Sequence, residues 1–233
     1  MDWDRLLASD RLRGGSSTPD SEPRNEFERD YDRILFSEPF RRLMDKTQVF
    51  PMPENDHVHN RLIHSLEVAS IGRSMGRLVG RAMSPDRSGV IGDVVASACL
   101  MHDLGNPPFG HAGEDAIASW FARPEHGEQL AALSALERSD LARFEGNAQS
   151  FRIVTLLEPK KYGRLETPVG RPLGLDLSRA TLRAMTKYPW TESEAASRGT
   201  HKFGVYDDRL DAEVHEWLWE GSPDGAARTL ATE

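Results

Sequence analysis

The adjacent pair His102–Asp103, followed after a Gly/Pro-rich turn by His111 and Glu114, is where this sequence concentrates groups able to do chemistry. A neutral imidazole nitrogen beside a carboxylate is a donor set suited to a divalent metal of borderline hardness. His64, on a helical segment further upstream, offers a second nitrogen, so His64, His102 and Asp103 are the candidate metal ligands. His111 and Glu114 stand one helical turn apart, and the carboxylate can hold the imidazole's tautomer while the imidazole moves a proton. The chemistry indicated is metal-assisted hydrolysis, with His111 as acid/base and Glu114 as its support. For Glu114 the plainer alternative is a carboxylate that merely favours a helix N-terminus. Five of the eight histidines fall between residues 57 and 111, a clustering that scattered surface histidines would not give.

The elements that must position these groups read as helices. Phe27, Tyr31, Ile34 and Leu35 recur at helical spacing between about Glu26 and Met44, before Pro51 and Pro53 open a loop through Asp56. From about His57 to Met83 the apolar stripe Leu62, Leu66, Ala69, Ile71, Met75, Leu78 and Val79 predicts a long helix. Another runs from Ser88 through Val90, Ile91, Val94, Val95 and Ala98 to His102. Gly105 to Gly110 forbid continuation, and Pro107–Pro108 with Gly110 fix the approach of His111 at the head of a helix over 112–121. Helices are also expected over 130–142 and 147–158, then a Gly/Pro-rich loop over 159–176, and a helix capped by Ser178 that ends before Pro189. No strand pattern of any length appears. The expected class is all-α.

Other residues carry weaker signals. Arg61 precedes His64 by one turn and is expected to reach an anionic substrate, since arginine beside a metal suits a polyphosphate. Arg41, Arg42 and Lys46 cluster just before Thr47–Gln48. The stripe Arg73, Arg77, Arg81 reads as a solvated face. Asn147 and Gln149 are amides able to read a base or sugar, and Lys187 and Tyr188 can hold a phosphate and stack on a ring. By chemistry alone the plainer readings, a helix cap and an ordinary helix end, take precedence for these four. Net charge is -8, which argues against bulk electrostatic binding of nucleic acid or anionic membrane. One cysteine, Cys99, excludes an internal disulfide and suits a reducing compartment. With no membrane-spanning apolar run and no signal-like N-terminus, the expectation is a soluble cytoplasmic protein without a membrane partner.

His64 with His102–Asp103 resembles the HD superfamily of metal-dependent phosphohydrolases. Five longer segments, Phe40–Val49, Asn55–Val68, His102–Glu114, Phe144–Gln149 and Lys187–Trp190, look like the bacterial deoxyguanosine triphosphate triphosphohydrolases. The likeness spans about residues 25–210. It implies a helical HD-domain core and a divalent cofactor, Mg²⁺ or Mn²⁺, held by His64, His102 and Asp103. The implied reaction takes dGTP or another dNTP to the deoxynucleoside and intact inorganic triphosphate. The resemblance assigns His111, supported by Glu114, to proton transfer at the 5′-oxygen, and Arg61 and Lys187 to the phosphates. It sets Gln48 against the deoxyribose, and Asn147 and Tyr188 in the nucleotide pocket. A homo-oligomer is implied, and single-stranded DNA enters as a partner by resemblance only.

The family's fourth metal ligand, an aspartate in an Ala-Asp-Asp-Ile-x-Tyr-like helix, has no counterpart before Glu233. Asp207, Asp208 and Asp211 lie outside that pattern. The sequence therefore reads as a truncated chain, incomplete at its C-terminal end: a flexible lead-in over 1–25, a partial core over 26–210 and a divergent exposed tail over 211–233. Two readings of function follow, an active dNTP triphosphohydrolase or a catalytically impaired homologue that binds nucleotide or co-assembles with a full-length partner. A different HD activity, on phosphodiesters or alarmones, is the third.

Overall fold

A computed structural model describes residues 2–12, 22–48, 59–157 and 174–220. Eleven α-helices are present among them: α1 (Trp3–Leu6), α2 (Glu26–Leu35), α3 (Glu38–Arg42), α4 (Arg61–Met83), α5 (Ser88–Met101), α6 (His111–Ala122), α7 (Ala135–Ala142), α8 (Gly146–Arg152), α9 (Arg179–Met185), α10 (Glu192–Ser197) and α11 (Arg209–Trp219). Three isolated β-bridges are the only extended pairings among the described residues, so the all-α expectation holds. The chain divides into two bodies, Met1–Leu104 with Ile153–Met185, and Gly105–Arg152 with Thr186–Glu233.

The first body is organised by α4 against α5. Glycines recur on α4 at Gly72, Gly76 and Gly80, and this face, with Arg61, Ser65 and Ala69, is the buried one. A Cβ at Gly72 would fall 2.5 Å from Cys99 Sγ, and one at Gly80 would fall 2.7 Å from Ser88 Cα. The pairs 72 with 99 and 80 with 88 run in opposite directions, so the helices are antiparallel and close enough to need glycine. That register brings the start of α4, where His64 lies, to the end of α5, where His102 lies. Val90 and Val94 on α5 pack with Phe27 of α2, Ala180 of α9 and Leu7.

Here the stripe expected from apolar spacing differs from the buried face. Ile71, Met75 and Leu78 are 61%, 61% and 68% exposed. Close backbone contact buries the small residues of α4 and leaves its large apolar ones outside. The arginine stripe divides as well: Arg77 and Arg81 are exposed, whereas Arg73 pairs with Asp93 and lies 4.9 Å from the centre of the Tyr31 ring.

Three local features also differ from the sequence reading. The helix expected over 26–44 stops at Leu35, because Ser37 caps a new helix by accepting from Phe40 N at 3.4 Å. Part of the lead-in is ordered: α1 forms, and buried Arg11 pairs with Glu26 at 2.5 Å and Asp30 at 2.8 Å. The segment expected as an exposed tail begins within α11, which buries Asp211, Val214, His215 and Leu218. Residues 221–233 and most of the 159–176 loop lie outside the described residues.

In the second body Ala148, Trp190, Ala195, Phe203 and Tyr206 form an apolar cluster joined by Tyr188. Large aromatic side chains dominate its burial, each contributing roughly 1.5–3 kcal/mol. Arg152 lies 4.1 Å from the centre of the Tyr206 ring and bridges Asp140 at 2.9 Å and Asp211 at 2.6 Å. Ser134 and Glu137 form a capping box that starts α7 five residues later than the apolar spacing suggests.

Candidate functional site

The first group of candidate residues forms at the start of α4. Asn60 caps the helix by accepting from Ile63 N at 2.9 Å. A bridge between Thr47 and Asn60 lays residues 46–48 alongside, with Arg61 N donating to Lys46 O at 2.9 Å and Gln48 N to His59 O at 3.3 Å. Across the glycine seam, His102 caps the C-terminal end of α5 and buried Asp103 follows it. One ligand atom from each of His64, His102 and Asp103 lies within 4.8 Å of the others.

The protonation pattern suits metal binding. His102 Nδ1 lies 2.8 Å from Cys99 O, an acceptor, so Nδ1 carries a proton and Nε2 is the nitrogen left to ligate. That Nε2 lies 3.6 Å from Asp103 Oδ1. Burial, and then neighbouring His102, push the His64 imidazole below its usual range, favouring the neutral form that ligates. Two imidazoles and one carboxylate within reach of a common point fit a divalent ion. A more exposed set, His59, His64 and Glu67, shares His64.

Arg61 does not stand free for a phosphate. It is buried, and its Nη1 lies 2.8 Å from Asp103 Oδ2. Lys46 is close enough to feel this cluster: burial, then Arg61 and Arg42, lower its ammonium pKa. Gln48 Oε1 is buried and has no hydrogen-bond partner among the described residues.

The second group lies in the other body. Phe109 and Gly110 both take positive φ, 68° and 56°, in the turn that launches α6 with His111 at its first position. A Cβ on Gly113 would meet Pro108 O at 2.1 Å, so glycine is required for the turn to close on the helix. His111 Nδ1 lies 2.8 Å from Glu114 Oε2, and the other oxygen, Oε1, accepts from Gly146 N at 2.8 Å. Buried Glu114 therefore fixes His111 Nδ1–H and leaves its exposed Nε2 for proton transfer.

Gly146 supports the His111–Glu114 pair from a position that side-chain chemistry does not advertise. A Cβ there would lie 2.7 Å from Glu114 Oε1 and 2.2 Å from Asn106 Oδ1. Its neighbour Glu145 caps α8, accepting from Asn147 N at 2.6 Å and Ala148 N at 3.1 Å, and also receives Asn147 Nδ2 at 2.9 Å. Glu145 and Gly146 lie within the segment Phe144–Gln149, whose amides Asn147 and Gln149 are its only local chemical signal. A cleft of about 910 Å³ is lined by His111, Glu114, Arg143, Glu145, Lys202 and Phe203 among others.

Of the expected substrate residues in this body, Lys187 Nζ lies 5.3 Å from the centre of the Tyr188 ring, and Tyr188 leans on Trp190 at 5.7 Å. The late aspartates are occupied here too. Asp207 holds Ser193 N at 2.9 Å, Asp208 caps α11, and Asp211 pairs with Arg152.

The sequence pattern of the HD domain matches residues 61–154, which contain His64, His102, Asp103, His111 and Glu114. The chain is 46% identical over 217 residues to a deoxyguanosinetriphosphate triphosphohydrolase-like protein of Pseudomonas aeruginosa, covering 90% of this chain and 47% of that one. The chain carries an HD domain and is similar over most of its length to dGTPase-like proteins. A protein of the same description from Synechocystis is 47% identical over 199 residues, 81% of this chain and 43% of its own length. One from Bifidobacterium longum is 41% identical over 223 residues, 94% and 40% respectively. The chain thus spans about half the length of the curated relatives it matches. Among the described residues no helix is long and apolar enough to cross a membrane.

Proposed function

We propose that this HD domain serves the metal-dependent hydrolysis of deoxynucleoside triphosphates, dGTP foremost, releasing the deoxynucleoside and intact inorganic triphosphate. What carries the reading is the convergence of His64, His102 and Asp103 donor atoms within 4.8 Å, in a chain similar over most of its length to dGTPase-like proteins.

His64, His102 and Asp103 would hold the divalent ion, Mg²⁺ or Mn²⁺. Such an ion supplies a Lewis acid and lowers the pKa of a water bound to it. Arg61 holds Asp103 in place and, with Lys46, gives this part of the chain a positive character that favours a polyphosphate. The buried Gln48 Oε1, without a partner among the described residues, is a ready acceptor for a sugar hydroxyl. His111 would hand a proton from Nε2 to the departing 5′-oxygen, while Glu114 stabilises the charged imidazolium through Nδ1–H. Asn147, Lys187 and Tyr188 remain the candidates for holding the nucleotide. The same reading takes a homo-oligomer as the working form.

The test is anion-exchange analysis of dGTP incubated with the protein and Mn²⁺, with His111→Ala alongside. Deoxyguanosine and intact triphosphate from the wild type, and neither from the variant, are the expected products. Pyrophosphate with dGMP, or no turnover by a folded sample, would overturn the proposal.

A further inference from the structure

Lys202 belongs to none of the ligand, acid/base or nucleotide groups described above, yet it stands between two of their carboxylates. Its Nζ lies 3.2 Å from Glu145 Oε1 and 3.8 Å from Glu114 Oε2. Both carboxylates are buried, Glu114 at 7% exposure and Glu145 at 3%. The lysine is anchored through its backbone, where its carbonyl accepts from Trp190 Nε1 at 2.7 Å and its N–H donates to Thr200 Oγ1 at 3.1 Å. Burial pulls the Lys202 ammonium down, and Glu145 followed by Glu114 more than restores it, so its pKa is raised and the charge is retained.

We infer that Lys202 is a positioning residue for the His111–Glu114 pair: its ammonium lets Glu114 and Glu145 stay ionised together, and so keeps Glu114 an acceptor for His111 Nδ1–H. The argument is electrostatic. Two buried carboxylates that share one cation repel each other once it is removed, and the cheapest relief is a proton on one of them. Glu145 is held as a carboxylate by Asn147 N and Ala148 N, two donors at the head of α8. Glu114 has one backbone donor, Gly146 N, and so keeps fewer backbone hydrogen bonds once the ammonium is gone. A protonated Glu114 has lost its preference for an N–H from His111. The imidazole then relaxes toward the Nε2–H tautomer that free histidine favours, and the charged imidazolium that would donate from Nε2 loses the carboxylate that stabilises it through Nδ1–H. The same ammonium links the acid/base pair to Asn147, whose Nδ2 shares Glu145 Oε1 with it.

This inference rests on the proposed role of His111, so its test has one arm that needs no turnover. Nitrogen-15 spectra of the histidine rings at neutral pH should show His111 in the Nδ1–H form in wild type and Lys202→Arg. Lys202→Met should show it shifted toward Nε2–H. In the kinetic arm, Lys202→Met should lower kcat for triphosphate release roughly tenfold with KM little changed, a fraction of a full acid/base contribution, and Lys202→Arg should recover most of it. Added to Glu114→Gln, Lys202→Met should cost little more, because both act through one carboxylate. An unchanged His111 tautomer in Lys202→Met, or losses that multiply in the double variant, would overturn the inference. Lys202→Gln substitutes if Lys202→Met fails to fold. If the wild type hydrolyses no dNTP, the functional proposal falls while the tautomer arm still decides the part played by Lys202.

Discussion

Arg61→Ala probes the ion pair that ties the candidate metal ligands to the fold. Arg61 Nη1 and Asp103 Oδ2 are 2.8 Å apart, and the two side chains are only 8% and 7% exposed. Removing one partner of a buried pair strands the other charge, which costs about 3–5 kcal/mol. Asp103 has further interactions, so the low end, about 3 kcal/mol, is expected. Among the described residues Arg61 Nε is buried without a hydrogen-bond partner, so the variant sacrifices little there besides the pair and its packing. A divalent ion bound by His64, His102 and Asp103 would supply the missing positive charge. An ion that binds the native state alone stabilises it by RT ln(1 + [L]/Kd), about 2.7 kcal/mol at one hundred times Kd. Urea denaturation with and without Mn²⁺ should therefore show Arg61→Ala about 3 kcal/mol less stable in the absence of metal, with the gap narrowing as Mn²⁺ rises. Equal stabilities without metal, or a gap that Mn²⁺ leaves untouched, would refute the reasoning.

Three further outcomes follow from other parts of the structure. Gly146→Ala should displace Glu114 Oε1 from its donor, costing about 1.5–3 kcal/mol for a charged hydrogen bond and at least roughly tenfold in triphosphate release; thermal unfolding and product analysis measure the two effects. Gly76→Leu would force a branched side chain where even a Cβ meets Gly92 Cα at 3.1 Å. Overpacking there should cost about 1–3 kcal/mol and weaken Mn²⁺ binding measured by calorimetry, because the seam sets His64 beside His102. Asp211 is pushed up to about 7 by burial, against the pull of Arg152. A carboxyl with a raised folded pKa contributes stability that is present below its unfolded value, near 3.8, and lost as pH rises toward 7. Asp211→Asn should flatten that decline in urea midpoints between pH 4 and 7; an unchanged slope would count against a protonated Asp211.

The helical class was legible because no alternating pattern competes with the helical one, and the helix after Ser178 was legible because that cap acts within a few residues. Ser134 with Glu137 is as local, yet α7 starts there five residues after the point that the apolar spacing from 130 indicates. The face of α4 was misread for a non-local reason. Hydrophobic spacing assumes that large apolar residues face the core, whereas α4 approaches α5 so closely that only glycine, alanine and serine fit between them. In α11 the apolar spacing is short, and the acidic Asp211 is buried only because Arg152 comes from α8 to meet it.

The same division runs through the candidate site. Residue types and local spacing determined His102–Asp103 at a helix end and His111 one turn from Glu114, since ligand choice and i, i+3 geometry are properties of a few neighbouring residues. Tertiary structure decided what each of those groups meets. Arg61, expected to face a substrate phosphate, instead pairs with Asp103, because burial makes an unpaired carboxylate costly and the nearest cation closes on it. Glu114 owes its second hydrogen bond to Gly146, thirty-two positions along the chain. Lys202 reaches the same carboxylate from further still, and no spacing rule connects them. Local sequence can name the reactive groups, but the partners that set their charge and orientation come from chain segments joined only by folding.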